Sequence, residues 1–273
     1  AAGTITGSGE WQDGPWAIKF DARGVRLQEL QSTLPALELN GEVRADGSGI
    51  DFAKQPIALK ARLNGAALGD LRTIPIALRK GFVGEFDAQL LAEKIDLKQL
   101  KLTVGDTQLT ATTGTGQLLG SVNRKTWQID SDAQWLRFDP FLWSTAAPTQ
   151  NAQLNGAMKV TATLPANALQ KAQALTVQAQ LQDSRWAGQA LAAKFDARLV
   201  EALTTASNPL RIESSGQARL GGNNVNWTGR IGAISDVLQW KLDAAALNEL
   251  LATAKVKNTA LQGRLIADGQ FTG

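Results

Sequence analysis

Apolar and polar residues alternate along nearly the whole chain. Ile57, Leu59, Ala61 and Leu63 fall on one side of an extended segment, with Ala58, Lys60 and Arg62 on the other. The same stripe recurs at Ile18 and Phe20, at Leu37, Leu39 and Val43, and at Leu175, Val177, Ala179 and Leu181. It returns at Leu191, Phe195 and Leu199, at Leu238, Trp240 and Leu242, and at Leu265 and Phe271. A period of two marks strands with one dry and one wet face. The pattern predicts about 15 strands joined by short turns. Paired in order at ~4.8 Å, they make a sheet about 70 Å wide, a width at which an open sheet curls, splits or becomes a solenoid-like layer. The predicted fold is all-β: a long, strongly curved antiparallel or mixed sheet with one or two very short helices.

The helical signals are residues 165–171, opened by Pro165, and residues 243–251, where Asp243 reads as an N-cap and Leu247, Leu250 and Leu251 share a face. No βαβ rhythm is present. Gly221-Gly222-Asn223-Asn224 reads as a hairpin turn. Asp21, Asp130 and Asp243 each precede a short leucine-bearing stretch and then a glycine-marked strand, and they recur 109 and 113 residues apart. This predicts one elongated segment, 1–273, built of diverged repeats at approximately 1–125, 126–236 and a partial 237–273. Because the chain starts and stops inside strand-like pattern, it is expected to be a fragment of a longer protein. Gly41, Gly263 and Gly269 interrupt the apolar stripe, where glycine costs ~0.5–1 kcal/mol relative to alanine. They read either as bends that help a sheet curl or as space left open along an inner surface.

Composition narrows the chemistry. There is no cysteine, so neither a disulfide framework nor a thiolate metal site is possible, and there is no histidine, the commonest metal ligand and neutral-pH acid–base group. Lys and Arg total 28 against 25 Asp and Glu, a net charge of +3. The basic residues are scattered singly among acids, not gathered into the stripe a nucleic-acid binder presents. No run of ~20 apolar residues could cross a membrane as a helix. The paired carboxylates Asp130 and Asp132, and Asp139 beside Pro140, read as solvated strand surface and turn rather than as catalytic pairs. Asp46-Gly47 and Asp268-Gly269 lack the ligand spacing of a calcium loop. No enzyme, metal or cofactor is expected. Trp135, Phe138, Phe141 and Trp143 form the densest aromatic cluster, read as a packed turn or as an apolar lip.

Two stretches carry a family likeness. LQWKLDAAALNELLA followed by LQGRLIADGQFTG, together with ALTVQAQLQDSRWAGQALAAKFDARL, resembles the repeated strand, short-helix and glycine-strand units of TamB-like proteins (translocation and assembly module) within the wider AsmA-like group. The resemblance implies a β-taco, or groove, in the periplasm of a diderm bacterium. It would be held by an inner-membrane helix absent here and coupled in the full protein to a BamA-type outer-membrane barrel. It also implies phospholipid transport between the inner and outer membranes along a continuous hydrophobic groove. The lipid-facing set expected on that reading is Ile18, Phe20, Leu39, Val43, Leu59, Leu63, Leu175, Val177, Phe195, Leu199, Trp240, Leu242, Leu265 and Phe271. Such a floor would shield acyl chains whose exposure costs about 0.8 kcal/mol per CH₂. The alternative function is a structural periplasmic scaffold, or a chaperone-like module assisting outer-membrane protein assembly, working through its sheet edges. A third reading, a β-solenoid adhesin or carbohydrate-active domain, needs aromatic or acidic ladders on an outer face that the chain lacks.

Overall fold

The computed structural model describes residues 3–30, 34, 36–49, 51, 54–91, 94–113, 119–120, 126–148, 150–165, 174–201, 211–253 and 262–272. Residues 166–171, most of the first expected helix, lie outside them. The chain divides into two units: residues 1–123 with 135–150, and residues 124–134 with 151–273.

In the first unit, β1 (Thr4–Trp11), β2 (Trp16–Arg26), β3 (Leu37–Gly47), β4 (Ile57–Ala67), β5 (Phe82–Leu91), β6 (Lys94–Val104) and β7 (Thr107–Thr113) pair in chain order. Each of these pairings is antiparallel, from β1 with β2 through β6 with β7. A short helix α1 (Leu27–Leu30) follows β2. Asp13-Gly14 turns β1 into β2 with φ 48° and 117°, the positive pair that a two-residue hairpin requires. Two 3-10 turns, Leu71–Thr73 and Ile76–Lys80, bridge β4 and β5. Among the described residues of this unit Val25, Leu37, Ile74, Ala77, Ala88, Leu97 and Val104 are the buried apolar ones.

The short β8 (Leu119–Gly120) precedes β9 (Thr126–Phe138), whose first residues belong to the second unit and whose last belong to the first. In the second unit β10 (Ala152–Pro165), β11 (Ala174–Trp186), β12 (Gln189–Glu201), β13 (Arg211–Leu220), β14 (Asn223–Ile231), β15 (Val237–Ala244) and β16 (Leu265–Thr272) again pair in chain order and antiparallel. The turn after β13 is Gly221-Gly222, and Asn223 opens the next strand, its amide donating to the Leu220 carbonyl at 3.1 Å. Helix α2 covers Leu247–Thr253 and starts later than expected. Asp243 is not its cap. It is a strand residue of β15 held by Arg264 across the sheet at 2.7 and 2.8 Å, while Asn223 Oδ1 accepts from the Ala246 N–H at the helix entry.

The expected strong curvature is overturned. Each unit is an open antiparallel ladder that is neither closed nor strongly curved, so it is not a β-taco, a groove or a solenoid-like layer. Curl is built from bulges and glycine kinks within strand bodies. Here the register slips toward strand ends at Ala22/Val25, Gln153/Gly156, Leu181/Ser184 and Leu199/Glu201, and within a strand body at Asp87/Ala88 of β5. The strand glycines, moreover, mostly serve another purpose.

Candidate functional site

Register decides what the alternating residues do together. In the first unit Phe20 stands opposite Gly7 and Val43, Ala45 opposite Ile18 and Leu59, Leu63 opposite Gly41, and Leu39 opposite Gly65. In the second unit Val177 faces Ala197, Phe195 faces Ala179 and Gly216, Leu199 faces Ile212, and Leu175 faces Ala162. Trp240 faces Trp227 and Gly269, Leu242 faces Val225 and Ala267, Phe271 faces Leu238, and Leu265 faces Ala244. Because directly opposed residues share a face, each unit gathers its members of the expected set on one apolar face. None of these side chains is buried: Phe20 is 44% exposed, Ile18 38%, and Phe271 62%.

Among the described residues five glycines, three on the apolar face of the first unit and two on that of the second, are slots for aromatic rings. Phe20 lies over Gly7, Trp16 over Gly47, Phe82 over Gly65, Trp227 over Gly216 and Trp240 over Gly269. In every case ring and glycine are direct cross-strand partners. A Cβ on Gly269 would stand 2.7 Å from Trp240 Cζ2, and one on Gly7 would stand 3.2 Å from the Phe20 ring. Trp16 adds a hydrogen bond from Nε1 to the Gly49 carbonyl at 2.8 Å. A ring that fits only over a glycine pins the register, since a one-residue slip would send it to the other face. Of the glycines singled out in the sequence, Gly269 is therefore a slot, neither a bend nor open space. Gly41, at φ 149° beside the Ala22/Val25 bulge, is a backbone irregularity.

The opposite face is charged. Lys19 pairs with Glu42 at 2.8 Å, Lys60 with Asp87, Arg62 with Glu85, and Arg44 with Asp46; in the second unit Arg198 and Arg230 both reach Glu213. These exposed pairs order the surface and add little stability singly. Arg198 holds the Glu213 carboxyl below its ordinary range by hydrogen bonding, and Arg264 does the same to Asp243. A shallow depression of ≈ 750 Å³ in the first unit runs over Asp21, Glu42, Arg44, Lys60 and Arg62, and another in the second runs over Asp132, Gln178, Lys194 and Asp196. Among the described residues no lengthwise apolar groove follows the stripe.

One ion pair differs from the rest. Asp236, 2% exposed in the turn between β14 and β15, receives Arg211 through Nε at 2.9 and 3.0 Å, and its Oδ2 accepts from the Ala233 N–H at 2.9 Å. The Arg211 guanidinium holds its carboxyl below the ordinary range against the opposing effect of burial. Nothing in the sequence marks this pair, whose members stand 25 residues apart.

Among the described residues β1 pairs only with β2 and β16 only with β15. Each is eight residues long, and its register runs without a slip. All of β1 is exposed, with Ile5 at 61% and Trp11 at 63%. Neither TITGSGEW nor LIADGQFT contains the lysine or proline with which sheets usually blunt an edge.

The aromatic cluster lies around a 3-10 turn, Pro140–Trp143, whose Asp139 accepts from the Phe141 N–H at 3.0 Å. Phe138 and Trp143 rings stand 6.3 Å apart, and Trp143 is 41% exposed. Trp135 Nε1 and Asp130 Oδ1 are buried without a partner. Asp46 is taken by Arg44. Among the described residues no group of three or more metal-ligating side chains comes together, and no helix is long and apolar enough to cross a membrane.

No protein-family model matches the chain, and no curated protein or solved structure matches it either. The TamB-like and AsmA-like resemblance is accordingly withdrawn: no relative supports it, and the sheet lacks the curvature that fold requires. The phospholipid-transport function falls with it, because its groove is replaced by an open ladder with a half-exposed apolar face. An alternation of Ala, Leu and Gln is cheap to match, and it specifies strands rather than a family.

Proposed function

We propose that this chain is a non-catalytic β-scaffold that takes up extended segments of partner polypeptides by strand addition at the free edges of β1 and β16. The observation that carries this reading is that both edges are long, in unbroken register and free of lysine and proline. A segment added there gains main-chain hydrogen bonds, while alternate side chains extend the apolar face next to Ile5, Trp11, Leu265 and Phe271. Such chaperone-like work suits the periplasm, where outer-membrane polypeptides pass in extended form and a cysteine-free chain is untouched by oxidising conditions.

The test places inward-pointing charges on both edges, as natural sheets do. Ile5→Lys and Leu265→Lys alter exposed positions, so the double variant keeps its melting temperature within a few degrees. It is expected to lose the capacity of the wild-type chain to delay aggregation of an unfolded outer-membrane β-barrel polypeptide. Equal delay by both proteins would overturn the reading.

A further inference from the structure

Gly9 is the one glycine of the β1 edge without a ring. It lies on the same apolar face as Gly7, and its only strand partner is Ile18. A Cβ there would meet nothing closer than the Ala17 carbonyl at 3.5 Å and Ile18 Cγ1 at 3.7 Å. Gly84, another strand glycine without a ring on the apolar face of this unit, lies between Leu63 and Leu102 on a central strand and is enclosed from both sides. Gly9 is enclosed from one side only.

The far edge of the chain offers a template for what completes it. Gly9-Glu10-Trp11 in β1 is echoed by Gly269-Gln270-Phe271 in β16: glycine, a polar residue, then an aromatic. In β16 the slot is filled from the neighbouring strand, where Trp240 of β15 lies over Gly269 and packs against Phe271 with ring centroids 6.3 Å apart. A strand of the β15 kind beside β1 would set its tryptophan on Gly9 and against Trp11 in the same relation. The β15 of another copy cannot be that strand, since it is paired on both sides.

We propose that the β1 edge selects an extended segment of a partner polypeptide that carries an aromatic residue, tryptophan above all, opposite Gly9. This rests on the strand-addition reading and adds the chemistry of the partner to it. Backbone pairing alone accepts any extended segment. The glycine slot turns the edge into a reader of one side chain, with polar residues tolerated on either side of it because they point to the wet face.

The probe is a synthetic peptide with the sequence of β15, Val-Leu-Gln-Trp-Lys-Leu-Asp-Ala, titrated against the whole chain. Three comparisons are made: the peptide with its tryptophan replaced by alanine, the peptide N-methylated at alternate amides, and the Gly9→Val protein, which fills the slot with a residue suited to a strand. The expected results are binding that N-methylation abolishes, an affinity about tenfold lower for the alanine peptide, and no difference between tryptophan and alanine peptides on Gly9→Val. Equal affinities of the two peptides for the wild-type chain, both lost on N-methylation, would overturn the aromatic selection and leave strand addition standing. Absence of binding, or binding indifferent to N-methylation, would overturn both.

Discussion

Gly41→Ala is expected to lower the unfolding free energy by about 2–5 kcal/mol, the sum of an unfavourable backbone conformation and a collision with main chain. Gly41 has φ 149°, which side-chain-bearing residues rarely adopt, and an added Cβ would run into the Arg62 carbonyl oxygen of β4, with Leu63 Cα 2.8 Å away. Neither obstacle is a flexible side chain, so neither can yield without breaking the pairing of β3 with β4. Gly269→Ala is expected to cost less, about 1 kcal/mol, because the obstacle is the Trp240 ring on an otherwise ordinary strand. Gly9→Ala, which meets nothing within 3.4 Å, should be neutral or slightly stabilising. Urea unfolding of the three variants measures the order directly, and equal losses for Gly41 and Gly9 would show that the two positions are not distinct.

The second large effect concerns Arg211 and Asp236. Arg211→Ala removes the guanidinium that pairs with the Asp236 carboxylate, which is 2% exposed in the intact chain, and leaves it the Ala233 N–H and the more distant charge of Arg230; a buried charge that loses its partner is costlier than a lost surface pair. The variant should melt several degrees below wild type, while Arg62→Ala, which breaks an exposed pair with Glu85, should barely move. The pair also sets an acid limit. Because the Asp236 carboxyl is held below its ordinary value of 3.8 in the folded chain, its contribution is fully present above that value. It is lost as the pH falls through the lower, folded value. Thermal melts between pH 2 and 7 should therefore show an acid limb, confined to the region below the ordinary carboxylate value, that Asp236→Asn flattens, with a lower melting temperature near neutrality. An unchanged acid limb in Asp236→Asn would assign it to other carboxylates, with Asp243 and Glu213 next in line.

Much of the ladder is written in the chain. Alternation identifies the strands, and Gly221-Gly222 marks a turn by composition alone. Alternation says which residues share a face; it does not say what covers that face, and this is why the same stripe read as a groove floor proves to be the half-exposed side of an open sheet. Glycine in a strand is similarly silent. Gly269 and Gly41 look alike in sequence, yet one is the seat of Trp240 and the other a bulge partner with positive φ, a distinction made by cross-strand register. Asp243 before three alanines has the signature of a helix cap, but Arg264, brought opposite by the pairing of β15 with β16, claims its carboxylate first. The Arg211–Asp236 pair has no local signature at all, because it depends on two strand ends meeting across a turn.

Amide hydrogen exchange of the whole chain, alone and with an unfolded β-barrel polypeptide, tests the claim that its edges do the binding. Half of the β1 and β16 amides point away from their partner strands and should exchange freely in the chain alone. These amides, within residues 4–11 and 265–272, are expected to gain protection when the polypeptide is added. Protection confined to central strands such as β4 and β13, with both edges unchanged, would contradict that claim.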